Sequence, residues 1–329
     1  MGKTILVTGA NGHLGNNLVR KIVANGKRVK AGVRNIQNRK PFEGVNCEII
    51  HADLLDKNSL AKALKDVDTL YQVAAVYRHW AKNPEKEIIQ PNLTGTKNIL
   101  EAAARQKVRK VIYVSSITAL DRRQTHMNET SWNQNPANPY YQSKIDSEKL
   151  ALSLAKRYAF SLISVLPAAM IGPHCYGRLT PTMKILDSIL SGNQKIDPSF
   201  HVNFVSIEDV VDGMITAAEK GRNGERYILG SESPVKTADI FKIAQSISLK
   251  VKSPLKPPKS MLKTMAFLMN LSSKITGKEP SLTPSMVNTY HKDNRTLDLS
   301  KSYTDLGYNP QNPLESIKTT MVYLQKWKS

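Results

Sequence analysis

Two cysteines, Cys47 and Cys175, are all that the 329 residues contain. A disulfide framework is therefore excluded as the main support of the fold, and no cysteine–histidine spacing offers a metal site. Aromatic residues are few, 6% of the chain. No run approaches the roughly 20 apolar residues that a membrane-spanning helix needs. Acidic side chains are also scarce, 27 against 47 lysines and arginines. The positive excess lies in both halves, with 26 basic and 13 acidic residues in 1–167 and 21 and 14 in 168–329. There is no arginine block and no basic stripe interleaved with aromatics, so nucleic acid is not the expected partner. The simplest account of the charge is a solvated lysine-rich surface; an anionic substrate or an anionic membrane surface are the sharper ones. No secretory apolar segment precedes the first strand-like residues, which makes a reducing cytoplasm the expected compartment.

Hydrophobic residues make up 40% of the chain, enough for a substantial core. The first half alternates between two patterns. Strand-like runs are expected at Thr4–Thr8, Arg28–Val33, Cys47–His51, Thr69–Val73, Val111–Ser115 and Leu162–Leu166, and helical periodicity at Leu14–Asn25, Ser59–Leu64, Leu93–Gln106 and Ser143–Tyr158. Such alternation predicts an α/β fold, a doubly wound parallel sheet with helices on both faces. After Pro167 the pattern breaks at Gly172-Pro173, Gly177 and Pro181. A helix is expected over Pro181–Leu190, a strand over His201–Ile207, a helix over Glu208–Lys220, a strand over Tyr227–Gly230 and a helix over Thr237–Ser246 capped by Thr237. A lysine- and proline-rich linker, Lys250–Lys259, leads into Met261–Ile275. There Met261, Leu262, Met265, Leu268, Met269 and Leu271 approximate one helical stripe. That helix is expected to pack over the substrate cavity; a basic amphipathic helix touching a membrane through 250–275 is the alternative. The division expected is a dinucleotide-binding domain over 1–172 with about 200–230, and a smaller, mostly helical substrate and lid region over 173–199 and 231–329.

Gly9, Gly12 and Gly15 fall where the first strand turns into a helix, within Thr8-Gly9-Ala10-Asn11-Gly12-His13-Leu14-Gly15. Glycine permits the positive φ of a tight turn, close approach of a pyrophosphate and close strand–helix packing, and the helix N-terminus adds unpaired N–H groups. The apolar strand before the turn and Leu14, Leu18, Val19, Ile22 and Val23 after it give the motif its context. An acid about 20 residues beyond the turn would read a ribose 2′-hydroxyl. None occurs between Gly15 and Glu43; Arg34 follows the second strand, with Arg39 and Lys40 nearby. A cation there favours a 2′-phosphate, so NADP(H) is the expected cofactor and NAD(H) the alternative. Asp53, in His51-Ala52-Asp53-Leu54, is placed either to accept from an adenine or to cap a turn. Ala74 and Ala75 follow the fourth strand with side chains small enough for a cofactor to approach.

Among twelve tyrosines, only Tyr140 is read as one half of a catalytic pair, with Lys144 four residues on. On a helix the two share a face. An ammonium there would lower the phenol from its ordinary pKa near 10 toward the range useful for proton exchange. Ser116 ends the fifth strand, where its hydroxyl can orient a substrate carbonyl.

At these residues the chain resembles the extended short-chain dehydrogenase/reductases, with a dihydroflavonol-4-reductase-like and NAD-dependent epimerase/dehydratase-like cast. The likeness runs through Val7–Gly15, His51–Asp56, Asn92–Ala103, Tyr113–Ser116, Pro139–Lys144, Leu166–Pro173, Asn203–Val210, Gly224–Gly230 and Leu306–Pro310. The resemblance implies a Rossmann-type fold and a serine–tyrosine–lysine site carried by Ser116, Tyr140 and Lys144. It further implies that Asn92 supports a water relay, that Lys144 also holds ribose hydroxyls, and that Pro167 and Met170 meet the nicotinamide end. The remaining cofactor contacts fall on Thr8, Gly9, Asn11, Gly12, His13, Leu14, Gly15, Arg34, Asp53, Leu54, Ala74, Ala75 and Tyr140. Two positions depart from the family pattern, Gln72 where His or Asn is usual and Ser206 where Asp is common. The residues Ile117-Thr118-Ala119-Leu120 replace the Val-Tyr-Gly that often follows the serine in sugar-nucleotide epimerases, which shifts weight toward a simple reductase.

The expectation is thus an NADPH-dependent reductase of a small or medium apolar aldehyde or ketone. The rivals are a sugar-nucleotide epimerase or dehydratase that returns the hydride, a 3β-hydroxysteroid oxidation, and a non-catalytic dinucleotide sensor. Tyr77, His79, Trp80, Met170, Tyr176, Met183 and Phe204 are candidate pocket walls, from apolar character and position near strand ends. Monomer and homodimer, the latter through the helices at Leu93–Gln106 and Ser143–Tyr158, both remain open.

Overall fold

Apolar residues on both sides of a strand demand cover on both faces, and the first half supplies it by alternating each strand with a helix. The computed structural model describes residues 3–176 and 179–327; the punctuating Gly177 lies outside them. Strands β1 (Thr4–Thr8), β2 (Arg28–Val33), β3 (Glu48–His51), β4 (Val67–Gln72) and β5 (Lys110–Val114) are followed by β6 (His126–Met127) and β7 (Ser161–Pro167). The short β8 (Ala169–Ile171), β9 (His201–Val202) and β10 (Phe204–Ser206) precede β11 (Arg226–Leu229), β12 (Val235–Lys236) and β13 (Thr296–Leu297). Seven of these form one sheet in the order β11-β7-β5-β4-β1-β2-β3, every pairing parallel. The order reverses between β1 and β4, where α/β sheets of this kind hold their ligands.

The helices are α1 (His13–Ala24), α2 (Lys57–Ala63), α3 (Gln90–Arg105), α4 (Pro139–Tyr158) and α5 (Pro181–Leu190), then α6 (Ile207–Lys220), α7 (Thr237–Ile247), α8 (Lys259–Thr276), α9 (Pro284–Tyr290) and α10 (Pro313–Trp327). Leu18, Val19 and Ile22 of α1 and Val210, Val211 and Met214 of α6 cover one face of the sheet. Leu60 of α2, Ile99 and Leu100 of α3, and Ala151 and Leu154 of α4 cover the other. Each fully buried leucine or isoleucine there contributes about 1.5–3 kcal/mol. A separate core joins Ile171 and Phe204 to Met183, Leu186, Phe241 and Met321, from α5, α7 and α10.

Several boundaries differ from the sequence reading, each for a physical reason. Helix α4 starts at Pro139, a turn before the expected Ser143, because the Asn138 side chain accepts the Tyr141 N–H (3.1 Å) and proline suits the first turn. The strand expected over His201–Ile207 is two. The Asn203 side chain accepts the Ser231 N–H (3.0 Å) and interrupts the run, so β9 pairs antiparallel with β12 while β10 pairs parallel with β8. Thr237 does not cap α7. Its hydroxyl accepts the Phe200 N–H (3.1 Å) and donates to Asp197, and Lys236 holds the capping position without a side-chain bond. The stripe expected in α8 is divided: Leu262 and Ala266 face inward, whereas Met261, Leu268 and Leu271 are exposed. At Ser206, the hydroxyl accepts the Glu208 N–H (3.2 Å) and caps α6, the role an aspartate would fill.

Candidate active site

The reversal point of the sheet is built by Thr8 and the three glycines. Buried Thr8 donates its hydroxyl to Gln72 Oε1 (2.7 Å) and accepts the N–H groups of Val73 (3.0 Å) and Ala74 (3.1 Å), tying the end of β1 to the end of β4. Gln72 completes the link by donating to the Ala74 carbonyl (3.0 Å), so its length serves where a shorter polar residue is usual. Gly9 has φ +62°, and a Cβ on it would meet Ala74 Cα at 3.0 Å. A Cβ on Gly15 would stand 2.3 Å from the Gly9 carbonyl oxygen, so α1 approaches the turn only because that position is bare. Gly12 caps α1 with no side-chain hydrogen bond, and no acid stands in the first turn. Asn11 and Gly12 are exposed. A helix N-terminus left open in this way, with positive dipole character, fits an anionic diphosphate.

His13 does not face outward. Its ring Nε2 donates to the carbonyls of Gly172 (3.1 Å) and Pro173 (2.9 Å), and burial lowers its pKa to about 4. It pins α1 to the turn after β8 as a neutral imidazole, with Asn17 donating to Pro173 beside it (3.2 Å). Leu14 is buried in the core with Val7 and Leu18. Asp53 accepts the Leu55 N–H (2.9 Å), which makes it a turn residue; Leu54 lies against bare Gly95 and its carbonyl accepts from Asn98 (2.9 Å). Arg34 is exposed directly after β2, whose end pairs with the end of β1 through Gly32 and Thr8. Pro167 ends β7 and is buried, and half-buried Met170 lies in β8.

Tyr140 and Lys144 are brought together with Ser116 at the end of β5. Both residues are buried on α4, four positions apart. The Ser116 hydroxyl lies beside the Tyr140 phenol, where it favours the ionised form, and it accepts the Thr118 N–H (3.2 Å). Lys144 Nζ donates to the Val114 carbonyl (2.9 Å). Burial lowers Lys144 from its ordinary value to about 8, against the pull of the Glu148 carboxylate. The phenol does not follow the expectation of an acidified tyrosine. Burial, then the neighbouring Tyr77, push Tyr140 well above its ordinary value, and the Ser116 hydrogen bond only partly opposes them. Lys144, neutral above about pH 8, carries no charge in the range where the phenol would ionise and so does not offset that desolvation. Tyr140 is therefore a firmly protonated donor in this state.

Tyr77 and His79 pack on Tyr140 with ring centroids 5.0 Å away in each case, and lie 5.4 Å from one another. Tyr77 is 40% exposed as a residue, while burial of its hydroxyl raises it to about 12 against the pull of the Thr182 hydroxyl. His79, bonded to Asn138, is lowered by burial to about 4 and is neutral. Half-buried Trp80 follows on the same segment. The other candidate walls divide. Met183 and Phe204 are fully buried in the core of α5, α7 and α10, so they are packing residues. Tyr176 stacks on His174 and lies under the Arg20 guanidinium, 4.7 Å from its ring centroid, beside α1 rather than Tyr140.

Asn92 is buried with both ends of its amide occupied. It accepts the Val76 N–H (2.7 Å) and donates to the Val76 carbonyl (3.1 Å) and the Ser143 hydroxyl (3.0 Å). It holds the segment after β4 against α4, and with Lys144, Gln72, Ala74 and Ala75 it lines a small cleft.

Sequence reasoning missed two groups around the site. Tyr290 donates to or accepts from Tyr141 (2.7 Å), and its partner is 149 positions away, so no local signal marks it. Glu148 continues the spacing of Tyr140 and Lys144 by another four residues. It accepts from Ser115 (2.6 Å), Ser164 (2.6 Å) and Arg226 (2.9 Å), joining the residue after β5 to β7 and β11 beneath the site. The helical repeat was the signal that would have found it.

The sequence profile of the NAD dependent epimerase/dehydratase family matches residues 5–230, all of the seven-stranded sheet but its first residue. The chain is 33% identical over 232 residues to "Sterol demethylase protein B" of Methylococcus capsulatus, covering 70% of each chain. It is 30% identical over 241 residues to a "Putative dihydroflavonol 4-reductase" of Synechocystis, covering 71% of this chain and 69% of that one. Among solved structures, gox2253 superposes with a TM-score of 0.84 at 30% identity, over 99% of this chain and 98% of that one. A UDP-glucose 4-epimerase from Thermotoga maritima superposes at 0.77 with 22% identity, over 99% and 100% of the two chains, a likeness of fold. With a parallel sheet reversing at a glycine turn and a serine, tyrosine and lysine gathered beside it, this chain belongs to the NAD dependent epimerase/dehydratase family, a group of extended short-chain dehydrogenase/reductases.

Proposed function

We propose that this chain is an NADP(H)-dependent reductase of an apolar aldehyde or ketone. The observation that carries the reading is the convergence of Ser116, Tyr140 and Lys144 at the end of β5, under an aromatic wall of Tyr77 and His79. The relatives named dihydroflavonol 4-reductase support it. The turn from Gly9 to Gly15 with the α1 N-terminus would hold the diphosphate, Arg34 a ribose phosphate, and Lys144 the ribose next to the nicotinamide. Asp53, Leu54, Ala74, Ala75, Pro167 and Met170 would flank the bound dinucleotide. A reduced nicotinamide supplies the hydride when bound.

The chain's own residues handle the proton. Ser116 orients the substrate carbonyl oxygen by hydrogen bonding. Tyr140 gives that oxygen its hydroxyl proton, and a charged Lys144 stabilises the phenolate that results. The buried phenol stays protonated across neutral pH, which suits the reducing direction. Asn92 keeps the cleft beside Lys144 in register, where a water relay would return the proton.

The pH dependence follows from Lys144. Its folded value is lowered to about 8, so the ammonium is charged below that and neutral above it. Carbonyl reduction is expected to hold steady up to about pH 8 and to fall beyond it; a rate that climbs through this range would mean that Lys144 does not stabilise the phenolate as an ammonium. Arg34 is tested by Arg34→Asp, which is expected to raise KM for NADPH by about tenfold or more while sparing NADH, because it replaces a cation facing a phosphate by an anion. An unchanged NADPH preference would show that Arg34 does not meet the phosphate. The reductase reading itself is tested by following NADPH and NADH oxidation across aldehydes, ketones and nucleotide sugars. Net cofactor consumption with apolar carbonyl compounds is expected. Conversion of a nucleotide sugar with no net consumption would instead establish an epimerase or dehydratase that returns its hydride, and steroid-dependent reduction of NAD would favour hydroxysteroid oxidation.

A further inference from the structure

Helix α8 carries two apolar faces, and only one has a partner. Inward, Leu262 and Ala266 pack with Phe200 and Val287. Outward, Met261, Leu268, Leu271 and Ile275 recur at spacings of seven, three and four residues, which keeps them on one side, with Phe267 beside them. Phe267 is 61% and Ile275 81% exposed. Of the sixteen most exposed large apolar side chains among the described residues, seven lie between Leu249 and Ile275. Isolated exposed apolar residues are ordinary; a stripe of them on one helix is not.

The same segment is strongly basic. Residues 249–278 hold seven lysines, at positions 250, 252, 256, 259, 263, 274 and 278, and no acid. All seven are exposed. Lys263 and Lys274 lie along one edge of the outward apolar stripe, beside Phe267. No helix among the described residues is long and apolar enough to cross a membrane. A helix with an apolar face edged by lysines lies in the headgroup layer of an anionic bilayer, with its apolar side chains below and its ammonium groups among the phosphates. A second copy of the chain would set the same lysines against one another, a like-charge contact.

The position of α8 connects this surface to the site. Its end at Gly277 lies under the Lys82 side chain, on the segment whose Tyr77 and His79 rings cover Tyr140. The following helix α9 is tied to the start of the catalytic helix by Ser285, which donates to the Ala137 carbonyl (2.7 Å).

We infer that the outer face of α8, with the lysine-rich chain before it, docks this protein on an anionic lipid bilayer, next to the segment that covers Tyr140. This inference does not depend on which reaction the site performs.

The test is co-sedimentation of the full chain with vesicles of phosphatidylcholine alone and of phosphatidylcholine with an equal part of phosphatidylglycerol. Binding is expected on the anionic vesicles only, weakening as salt rises. Two variants separate the contributions. Leu268→Ser/Leu271→Ser/Ile275→Ser removes exposed apolar area, and Lys263→Glu/Lys274→Glu reverses two charges. Each is expected to lower partition onto anionic vesicles by about tenfold or more. Because all five side chains are exposed, circular dichroism and thermal melting should overlay those of the native chain. Three results would overturn the inference: no binding to anionic vesicles at low salt, equal binding to both vesicle types, or binding unchanged in both variants. A native dimer that the triple serine variant dissociates would assign the face to a second copy instead.

Discussion

Tyr140→Phe is expected to lower carbonyl turnover by about 10²–10⁴-fold, the range that a positioned general acid contributes. NADPH binding, followed by fluorescence or calorimetry, should stay within about twofold of native, because the phenol is not among the groups placed around the diphosphate or the outer ribose. The two readouts separate because the substitution deletes a single atom. The ring of residue 140 remains to pack on Tyr77 and His79, each with its centroid 5.0 Å away. Ser116 loses the phenol but still accepts the Thr118 N–H (3.2 Å), so the stability cost is on the order of 1 kcal/mol. Turnover that survives the change would mean that the proton comes from another group, and the proposed chemistry would fall with it.

Arg226→Met is expected to cost about 3–5 kcal/mol of folding stability in denaturant unfolding, as removal of one partner of a buried ion pair does. Arg226 donates to both carboxylate oxygens of Glu148 (2.9 and 3.2 Å) and to the Glu129 carbonyl (2.7 Å), with its guanidinium 3.8 Å from the Trp132 ring centroid. Glu148 is completely buried. Methionine fills the volume but leaves that carboxylate with only the hydroxyls of Ser115 and Ser164. A loss under about 1 kcal/mol would show that the pair is a surface-like contact and that water reaches it. The pair also bears on the site, since Glu148 is the charge that holds Lys144 up against burial. Glu148→Gln is therefore expected to move the alkaline fall in activity below pH 8, the same direction in which burial already pushes Lys144.

The first half of the chain was legible because its signals are local. Strands β1 and β2 have the expected ends, and the other βα boundaries of that half shift by up to four residues. An apolar run covered on both faces, a glycine turn and an amphipathic helix each declare themselves within a dozen residues. The start of α4 was also written locally, in Asn138 before Pro139, a cap followed by a first-turn proline. Beyond Pro167 the controlling contacts are distant. Asn203 splits a strand through Ser231, and Asp197 and Phe200 take the hydroxyl of Thr237. The candidate pocket walls divided for the same reason. Tyr77 and Met183 are alike in apolar character, but one packs on Tyr140 and the other lies in a separate core.

By itself the amino-acid order determined a parallel α/β sheet, a bare turn able to receive a diphosphate, and a tyrosine and lysine on one side of a helix. Each rests on spacing along the backbone, which the chain carries wherever it folds. Only the tertiary structure decided the electrostatics and the surface. Burial under Tyr77 and His79 outweighs the pull of the Ser116 hydroxyl and keeps the Tyr140 proton in place. Packing against Phe200 and Val287 chooses which apolar side of α8 is covered and which is left to solvent. Both outcomes depend on how much water each group loses to residues far away in sequence, and desolvation is a property of the assembled neighbourhood rather than of any segment.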